Sequence, residues 1–272
     1  MRREILPLDL RKSLEKILPL WPSELPARTR AVILGSGLGP AAEDFELVWE
    51  KNFEELGLIS AGVEGHKGRL LLTSAGEVHY LFLQGRLHRY EGHPDREVLL
   101  PAAALACLPL DCVLVTNAAG GLNPDFQAGD FMLIRDILSS QLADPLRGGE
   151  IPKDSGPLQL YDADLSADLQ DAARGSGLRL HEGVLHVGTG PAYETLAEIR
   201  MARDMGASAA SMSTFPESVL FARMGARTAA MSCITNVIAD SPDEETSHEE
   251  VVEVGASAAV DFADFLREWA GK

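Results

Sequence analysis

Two basic side chains that follow an apolar run are the first candidates for chemistry. The segment LQGRLHRYEGH, residues 83–93, carries Arg86 and His88 two positions apart. In an extended chain alternate residues point to the same face, so this pair could bind the oxygens of a phosphate group. Glu91 follows and could orient His88 or favour its charged form. A solvated polar loop is the alternative, and this segment alone leaves both interpretations open.

A glycine-rich turn could also receive an anion. The run AVIL leads into GSGLG, residues 35–39, whose backbone N–H groups could converge on a phosphate together with the Ser36 hydroxyl. The segment lacks the Lys-Ser/Thr ending of a P-loop and the GxGxxG spacing of dinucleotide-binding proteins. A strand-to-helix turn that needs glycine for its shape explains it equally well.

The segment TNAAGGLN, residues 116–123, has almost no bulky side chains. It follows the apolar run CVLV, and Asn117 can hold a turn with its side chain. The small residues 118–121 would leave a loop backbone bare, so a ligand could approach it closely. Close approach to another backbone is the alternative, and the pattern does not separate the two.

Three further segments place polar groups beside apolar runs. Tyr193 and Glu194 precede a helix-like segment, Met212 and Ser213 lead into another, and Asn236 ends a strand-like run. Glu194 could be a simple helix-dipole charge or a carboxylate presented to a pocket beside an aromatic ring. In isolation each segment has a purely structural explanation.

Strand-like and helix-like segments alternate along the chain and must position these side chains. The strand-like runs are 31–34, 69–74, 78–84, 112–116, 131–138, 183–188 and 228–234. The helix-like segments are 95–107, 162–173, 195–205, 217–224 and an amphipathic helix from His248, with Thr246 and Glu249 at capping-box spacing. The alternation predicts a mainly parallel or mixed sheet covered by helices. Such sheets bind ligands at the carboxyl ends of their strands, where the polar residues accumulate here.

Composition and charge exclude several classes of function. The 272 residues are 46% hydrophobic and 24% charged, which is typical of an ordinary soluble protein. No apolar run approaches the roughly 18 residues of a membrane helix, and the N-terminus lacks the features of a signal peptide, so we expect a cytoplasmic protein with no membrane partner. With 41 acidic and 24 basic residues the net charge is −17, which argues against nucleic acid as a partner.

The cysteines indicate neither a disulfide framework nor a metal site. Cys107, Cys112 and Cys233 are odd in number, lie in apolar segments and lack CxxC or Cys/His ligand spacing. We expect them to be small buried hydrophobic residues, and we expect no metal.

In their order and spacing, the motifs resemble those of the trimeric purine nucleoside phosphorylases. The most specific is TNAAGGLN with the following GDFMLIRD, and the others are GSGLG, QGRLHRYEGH, GPAYET, MSTFPE, ITN and HEEV. The resemblance extends from about Ala31 to the C-terminus. It implies an α/β fold with a single domain over residues 1–272, in which helices surround a central mixed, partly closed β-sheet. It also implies a homotrimer with active sites near the subunit interfaces.

The resemblance implies a role for each matched residue. The implied phosphate-binding residues are Ser36, His66, Arg86, His88, Ala118 through its backbone N–H, and Ser213. The implied purine-binding residues are Tyr193, Glu194 and Asn236, and the implied ribose-binding residues are Tyr90, Met212 and His248. Among these, Asn236, Glu194 and His88 are the implied catalytic residues.

The implied reaction is the reversible phosphorolysis of purine ribo- and deoxyribonucleosides, such as inosine and guanosine, in purine salvage. Inorganic phosphate is a co-substrate, and no cofactor is implied. The Glu194 carboxylate would accept hydrogen bonds from N1–H and the 2-amino group of a 6-oxopurine. Adenine presents a lone pair at N1, and a buried acceptor without a donor costs about 1–3 kcal/mol. Asn236 would stabilise the departing base.

Two alternatives remain open at this point. Methylthioadenosine phosphorylases resemble the chain but carry aspartates at the positions of Asn236 and Ile238, so Asn236 favours 6-oxopurines. A noncatalytic nucleoside-binding protein of the same fold would bind inosine without turnover, and it would have no reason to combine Arg86, His88 and Glu194 with Asn236.

The chain departs from the family pattern at three places. Ile151 precedes Pro152 where the family has an aromatic ring that reaches a neighbouring subunit's ribose site. Ser211 and Phe215 stand where the family has glycine and valine. These two changes are expected beside the ribose and phosphate sites, where they could narrow the pocket.

Overall fold

A computed structural model of the chain describes residues 3–59, 67–139, 142–150, 157–238 and 247–272. The strands within these ranges are β1 (Thr29–Leu34), β2 (Glu46–Asn52), β3 (Arg69–Ala75), β4 (Val78–Gln84), β5 (Cys112–Gly121), β6 (Phe131–Leu138), β7 (Leu180–Val187), β8 (Ala207–Ser211) and β9 (Thr228–Val237). The α-helices are α1 (Leu8–Ile17), α2 (Asp95–Leu105), α3 (Ala163–Ser176), α4 (Leu196–Asp204), α5 (Phe215–Met224) and α6 (His248–Ala270). His66 and Ile151 lie outside the described residues.

The described strands form one sheet that closes on itself at one end. Their order is β2-β3-β4-β1-β5-β8-β7-β6-β9, and β9 also pairs with β5. Strands β5 to β9 therefore form a closed ring, and the other four extend from β5 as an open wing. β1 pairs in parallel with β4 and β5, whereas β6 and β9 pair antiparallel. The prediction of an α/β fold with a mixed, partly closed sheet surrounded by helices is confirmed.

Helices cover both faces of the sheet because its central strands are apolar on both sides. In β1 the side chains of Ala31 and Ile33 join the cluster beneath α1, α2 and α5. The alternate side chains of Val32 and Leu34 join the cluster beneath α3 and α6. This is the period-2 geometry of a strand that is buried on both faces.

The closing helix α6 is held by aromatic packing and by one buried hydrogen bond. The Tyr80 hydroxyl donates to the Leu266 carbonyl at 2.7 Å, which satisfies a polar group inside an aromatic cluster. None of the helices in the described ranges is long and apolar enough to cross a membrane. The fully buried side chains of α6 are Phe262, Phe265, Leu266 and Trp269.

The predicted amphipathic helix begins at His248, as expected, but its cap differs from the prediction. Ser247 accepts a hydrogen bond from the Glu250 backbone N–H, and the Glu250 carboxylate accepts one from the Ser247 N–H. This capping box lies one residue later than the predicted pair Thr246 and Glu249, and Thr246 lies outside the described residues. His248 is therefore the first residue of the helix.

The prediction that residues 117–121 form a loop is wrong, because they are the second half of strand β5. Asn117 to Ala119 pair in register with Ser232 to Ile234 of β9, and Gly120 and Gly121 also pair with β8. Asparagine, alanine and glycine have low strand propensity, so local sequence predicts a strand end here. Hydrogen bonding to strands on both sides overrides that preference.

Three elements were not predicted: β2, β8 and α1. Strand β2 is a mostly exposed edge strand with an apolar run of only three residues, and β8 (ASAAS) is built from small residues. Helix α1 does carry the expected helical signal, since its buried residues Leu10, Leu14 and Ile17 recur every three or four positions. The first two elements depend on pairing with distant strands, which no local pattern reveals.

The cysteines differ partly from expectation. Cys112 and Cys233 are buried as predicted, and burial raises the pKa of both thiols to about 12, so they remain uncharged. Cys107 is only half-buried.

Gly35 lies where two backbones meet. A Cβ atom at this position would stand 2.6 Å from the Asn117 Cα atom, a distance that side chains do not tolerate. The Gly35 N–H also donates to the Thr116 hydroxyl at 2.9 Å, and that hydroxyl donates to the Ile33 carbonyl. Gly35 is therefore required because the turn after β1 packs directly against the backbone of β5.

We expect Gly35→Ala to lower the free energy of unfolding by about 1–3 kcal/mol, because the new methyl group must displace backbone rather than a flexible side chain. Urea unfolding followed by circular dichroism measures the loss. Gly271→Ala is the matched control, since its nearest heavy atom to the new Cβ would be at 3.4 Å, an ordinary contact. Equal stability of the two variants would contradict the close approach.

Candidate active site

A cavity of about 540 Å³ opens where several strands end. Strands β1 and β4 lead into its glycine turn and its basic segment, and the last residues of β5, β8 and β9 line its floor. Every predicted site residue that the structure describes lines this cavity; only His66 lies outside the described residues. The lining residues from the sequence prediction are Ser36, Arg86, His88, Tyr90, Ala118, Tyr193, Glu194, Met212, Ser213, Asn236 and His248.

Arg86 is a buried guanidinium with a fixed orientation. Its side chain is only 4% exposed, and Nη2 donates to the Thr116 carbonyl at 2.6 Å. Its Nε lies 3.6 Å from Oε1 of Glu217, which is equally buried in the first turn of α5. The carboxylate offsets part of the cost of burying the positive charge. The solvated-loop interpretation of this segment is therefore wrong.

His88 is oriented by Glu91 and Tyr90. The Glu91 carboxylate accepts a hydrogen bond from the His88 backbone N–H at 2.7 Å, and the same oxygen lies 3.2 Å from Nδ1 of the ring. The imidazole stacks on the Tyr90 ring with 4.8 Å between ring centroids. Glu91 thus has the orienting position that its spacing suggested. Together with Arg86, this ring forms a basic end of the cavity that suits an oxyanion.

A strained residue, Thr214, lies between β8 and α5 and is hydrogen-bonded to β5. Thr214 has φ +79°, a left-handed conformation that is unusual for a β-branched residue. Its hydroxyl accepts a hydrogen bond from Asn117 Nδ2 at 2.7 Å and one from Arg86 at 3.5 Å. Such strain costs about 1–3 kcal/mol and persists where neighbouring contacts hold it. It turns the chain sharply between Ser213 on the cavity wall and helix α5.

Sequence reasoning missed several residues that support the basic end. Four residues, Thr116, Asn117, Thr214 and Glu217, hold Arg86 or each other. The sequence indicated only a turn at Asn117 and a helix-like segment from residue 217. Glu217 is the last residue of the motif MSTFPE, and its position in that motif was the one signal in the sequence that could have identified it. A glutamate in the first turn of a helix is ordinarily an exposed dipole charge, and only the fold shows that this one is buried.

The opposite end of the cavity is apolar except for a carboxylate and an amide. Glu194 follows β7 and is largely buried, whereas the neighbouring Tyr193 is 58% exposed. Asn236 lies on β9 beside a register shift, and its Oδ1 accepts a hydrogen bond from the Thr235 hydroxyl at 3.3 Å. The apolar lining residues around them are Leu196, Ile199, Ala210, Val237, Ile238 and Val251.

Between the two ends lie groups that can contact a polar ligand without charge. Burial raises the pKa of the Tyr90 hydroxyl, and Glu91 raises it further. Burial likewise raises the pKa of Tyr193, with Glu194 and Glu249 adding to the effect. Both phenols therefore remain protonated donors at neutral pH. Met212 and His248, the first residue of α6, also line this part.

The described departures from the family pattern fall in different environments. Ser211 lines the cavity, and its hydroxyl donates to the Ala118 carbonyl at 2.9 Å. Phe215 packs against the hydrophobic cluster beneath α5 and is not among the residues that line the cavity. The expectation that both changes lie beside the ligand therefore holds for Ser211 and is wrong for Phe215.

Comparisons with known proteins agree with this geometry. A family model described as the phosphorylase superfamily matches residues 29–270. Purine nucleoside phosphorylase 1 of Bacillus subtilis is 36% identical, with 87% of this chain and 89% of the relative aligned, and purine nucleoside phosphorylase of Bos taurus is 37% identical, with 87% and 86% aligned. The crystal structure of Schistosoma mansoni purine nucleoside phosphorylase in complex with inosine has a TM-score of 0.84 and 28% identity, over 98% of this chain and 97% of that one.

The buried ion pair of Arg86 and Glu217 gives a testable consequence. We expect Glu217→Gln to lower the free energy of unfolding by roughly 3 kcal/mol or more, because it leaves a buried guanidinium with less compensating charge. Inorganic phosphate should then raise the melting temperature of the variant more than that of the parent protein, since the anion supplies negative charge at the same end. Thermal unfolding with and without phosphate measures both effects.

The control is Asp144→Asn, which breaks the partly exposed ion pair between Asp144 and Arg223. Exposed pairs contribute about 1 kcal/mol or less. A Glu217→Gln variant as stable as this control would show that the buried pair does not stabilise the basic end.

Proposed function

The chain belongs to the phosphorylase superfamily, and we propose that it catalyses the phosphorolysis of purine nucleosides, with a preference for 6-oxopurines. The resemblance of its motifs to those of purine nucleoside phosphorylases is confirmed by relatives of that name over most of the chain. The proposal rests above all on one cavity that joins the buried basic pair Arg86 and His88 to the carboxylate of Glu194 and the amide of Asn236.

The basic end is proposed to bind inorganic phosphate. Arg86 and His88 would contribute charged or polar donors, with the hydroxyls of Ser36 and Ser213 and the backbone N–H of Ala118 completing the site. In a protein of net charge −17, a dianion needs such a local cluster of donors. The fixed Arg86 orientation supports this role, because its position is set before the ligand arrives.

The other end is proposed to bind the purine. Glu194 would accept hydrogen bonds from N1–H of hypoxanthine or guanine, and from the 2-amino group of guanine. Asn236 would donate to N7 or the 6-oxygen, and Tyr193 would lie against the base. Adenine offers an acceptor at N1, so the carboxylate would disfavour it. The ribose would lie between the two ends, near Met212 with Tyr90 and His248 at its hydroxyls.

The proposed reaction breaks the bond between C1′ and the purine nitrogen and forms a bond from C1′ to a phosphate oxygen. The sugar becomes oxocarbenium-like as the base leaves, so the phosphate oxygens stabilise the cation while Asn236 stabilises the charge developing on the purine. The products are the free base and ribose 1-phosphate. Because phosphate is itself the nucleophile, the proposal requires neither a metal nor an organic cofactor, and no covalent enzyme intermediate.

The oligomeric state and the cellular location expected from the sequence remain proposals. We propose a homotrimer, because the motifs match those of the trimeric members of the family. A cytoplasmic location is proposed from the absence of an apolar run long enough to span a membrane.

The direct test is release of free base from inosine, guanosine and adenosine, each with and without inorganic phosphate. We expect hypoxanthine and guanine to be released only with phosphate, and adenine to be released far more slowly. Phosphate-independent release would indicate hydrolysis and contradict the phosphate site. Preferred release of adenine would favour the methylthioadenosine phosphorylase alternative, and binding of inosine without turnover would favour the noncatalytic one.

Glu194→Gln tests the proposed selectivity. We expect kcat/KM for guanosine to fall by roughly 100-fold, because hydrogen bonds to a charged group contribute about 1.5–3 kcal/mol each, while kcat/KM for adenosine stays constant or rises. Glu198→Gln is the matched control, because Glu198 is a partly exposed capping-box residue of α4, where glutamine also serves. An equal loss for guanosine and adenosine in Glu194→Gln would remove Glu194 as the selector.

A further inference from the structure

We propose that His186 is a positioning residue that holds the Glu194 carboxylate in the orientation needed to read the purine. The inference rests on the proposed function, which it extends to a residue that does not line the cavity. His186 lies on β7, and in the sequence it stands within an apolar run that carries no functional motif.

His186 is a buried polar side chain without a hydrogen-bond partner in the part of the chain that the structure describes. It is 2% exposed, and neither ring nitrogen makes a hydrogen bond to a described residue. An imidazole always carries at least one N–H, and leaving such a group unsatisfied inside a protein costs about 1–3 kcal/mol. A buried polar group of this kind calls for a specific reason.

The Glu194 carboxylate is the acceptor that faces this ring. Nδ1 of His186 lies 3.9 Å from Oε1 of Glu194. A shift of about 1 Å would bring these atoms into hydrogen-bond range. Hydrogen bonds in active sites often shorten when the substrate binds. We therefore assign the proton to Nδ1, from which it is donated to Glu194.

Among the described residues, the strand neighbours of His186 are apolar. Its partners in the adjacent strands are Leu138 of β6 and Ala210 of β8, which share its face of the sheet. Both belong to or pack against the small apolar cluster under α4, which also includes Ile199. In such surroundings a single hydrogen bond to a carboxylate is stronger than it would be in water.

Gly188 provides the space for this contact. A Cβ atom at position 188 would lie 2.8 Å from Oε1 of Glu194, the same oxygen that faces His186. The missing side chain therefore lets the carboxylate lie back against β7. His186 lies near the end of β7, and Gly188 directly follows that strand. The same short segment therefore provides both the hydrogen-bond donor and the space for the carboxylate.

The substrates differ in how strongly they depend on this orientation. Guanosine would engage Glu194 through two donors, N1–H and the 2-amino group, so the plane of the carboxylate must match both. Inosine offers only N1–H and tolerates a rotated carboxylate. Loss of the His186 contact should therefore penalise guanosine more than inosine.

The test compares His186→Leu with His186→Asn. Leucine and asparagine have nearly the same shape, but only the asparagine amide places a donor near the position of Nδ1. We expect His186→Leu to raise KM for guanosine roughly tenfold and KM for inosine roughly threefold, with little change in kcat, because one hydrogen bond to a charged group is lost. His186→Asn should stay within about threefold of the parent protein for both nucleosides.

KM for phosphate separates a positioning role of His186 from a merely structural one. We expect KM for phosphate to be unchanged in both variants, since the basic end is built from other strands. Equal effects of leucine and asparagine, or a parallel rise in KM for phosphate, would overturn the proposal.

The parent protein separates this inference from the proposed function. Normal turnover of guanosine by the parent and by His186→Leu would overturn the role of His186 alone. If the parent binds guanosine without turnover, the proposed function fails, and the Kd of guanosine for the two variants then tests His186 directly. Absence of guanosine binding by the parent would overturn both.

Discussion

The pairing of β5 with β9 is the constraint on which the cavity depends. These strands run in parallel over nine residues of β5, and the pairing continues through the small residues 117–121 to close the ring of the sheet. Because the side chains there are small, the glycine turn after β1 packs directly on β5, and the backbone of Ala118 reaches the cavity. The same pairing sets Asn236 beside Gly120, so one ladder of hydrogen bonds positions groups at both ends of the proposed substrate.

The basic end explains how an acidic protein could bind the phosphate that we propose as its co-substrate. The long-range field of a chain with net charge −17 opposes the approach of an anion, so binding depends on local donors whose orientation is fixed in advance. Arg86 meets this need because Thr116 and Glu217 hold it inside the fold. The cost is a buried ion pair and a strained Thr214, which neighbouring hydrogen bonds keep in place.

The end of the cavity that we propose to bind the purine follows a different principle, in which apolar surroundings strengthen a few polar contacts. Glu194 lies near aliphatic side chains of α4 and β9, so the match or mismatch of one ligand proton has a large effect on binding. In our proposal, His186 and Gly188 position the Glu194 carboxylate from behind, although His186 does not line the cavity. Selectivity then depends on β7 as well as on the residues that touch the base.

The sequence by itself determined the alternation of strands and helices, the amphipathic helix α6 and the residues gathered at the strand ends, because periodic patterns and local motifs encode these features. The tertiary structure alone decided that residues 117–121 are a strand, that β2 and β8 exist and that Glu217 is buried against Arg86. Strand pairing and burial arise from contacts between residues far apart in the chain, and they override weak local propensities. For the same reason a histidine inside an apolar run carried no local signal, and only the fold brought its ring to face Glu194.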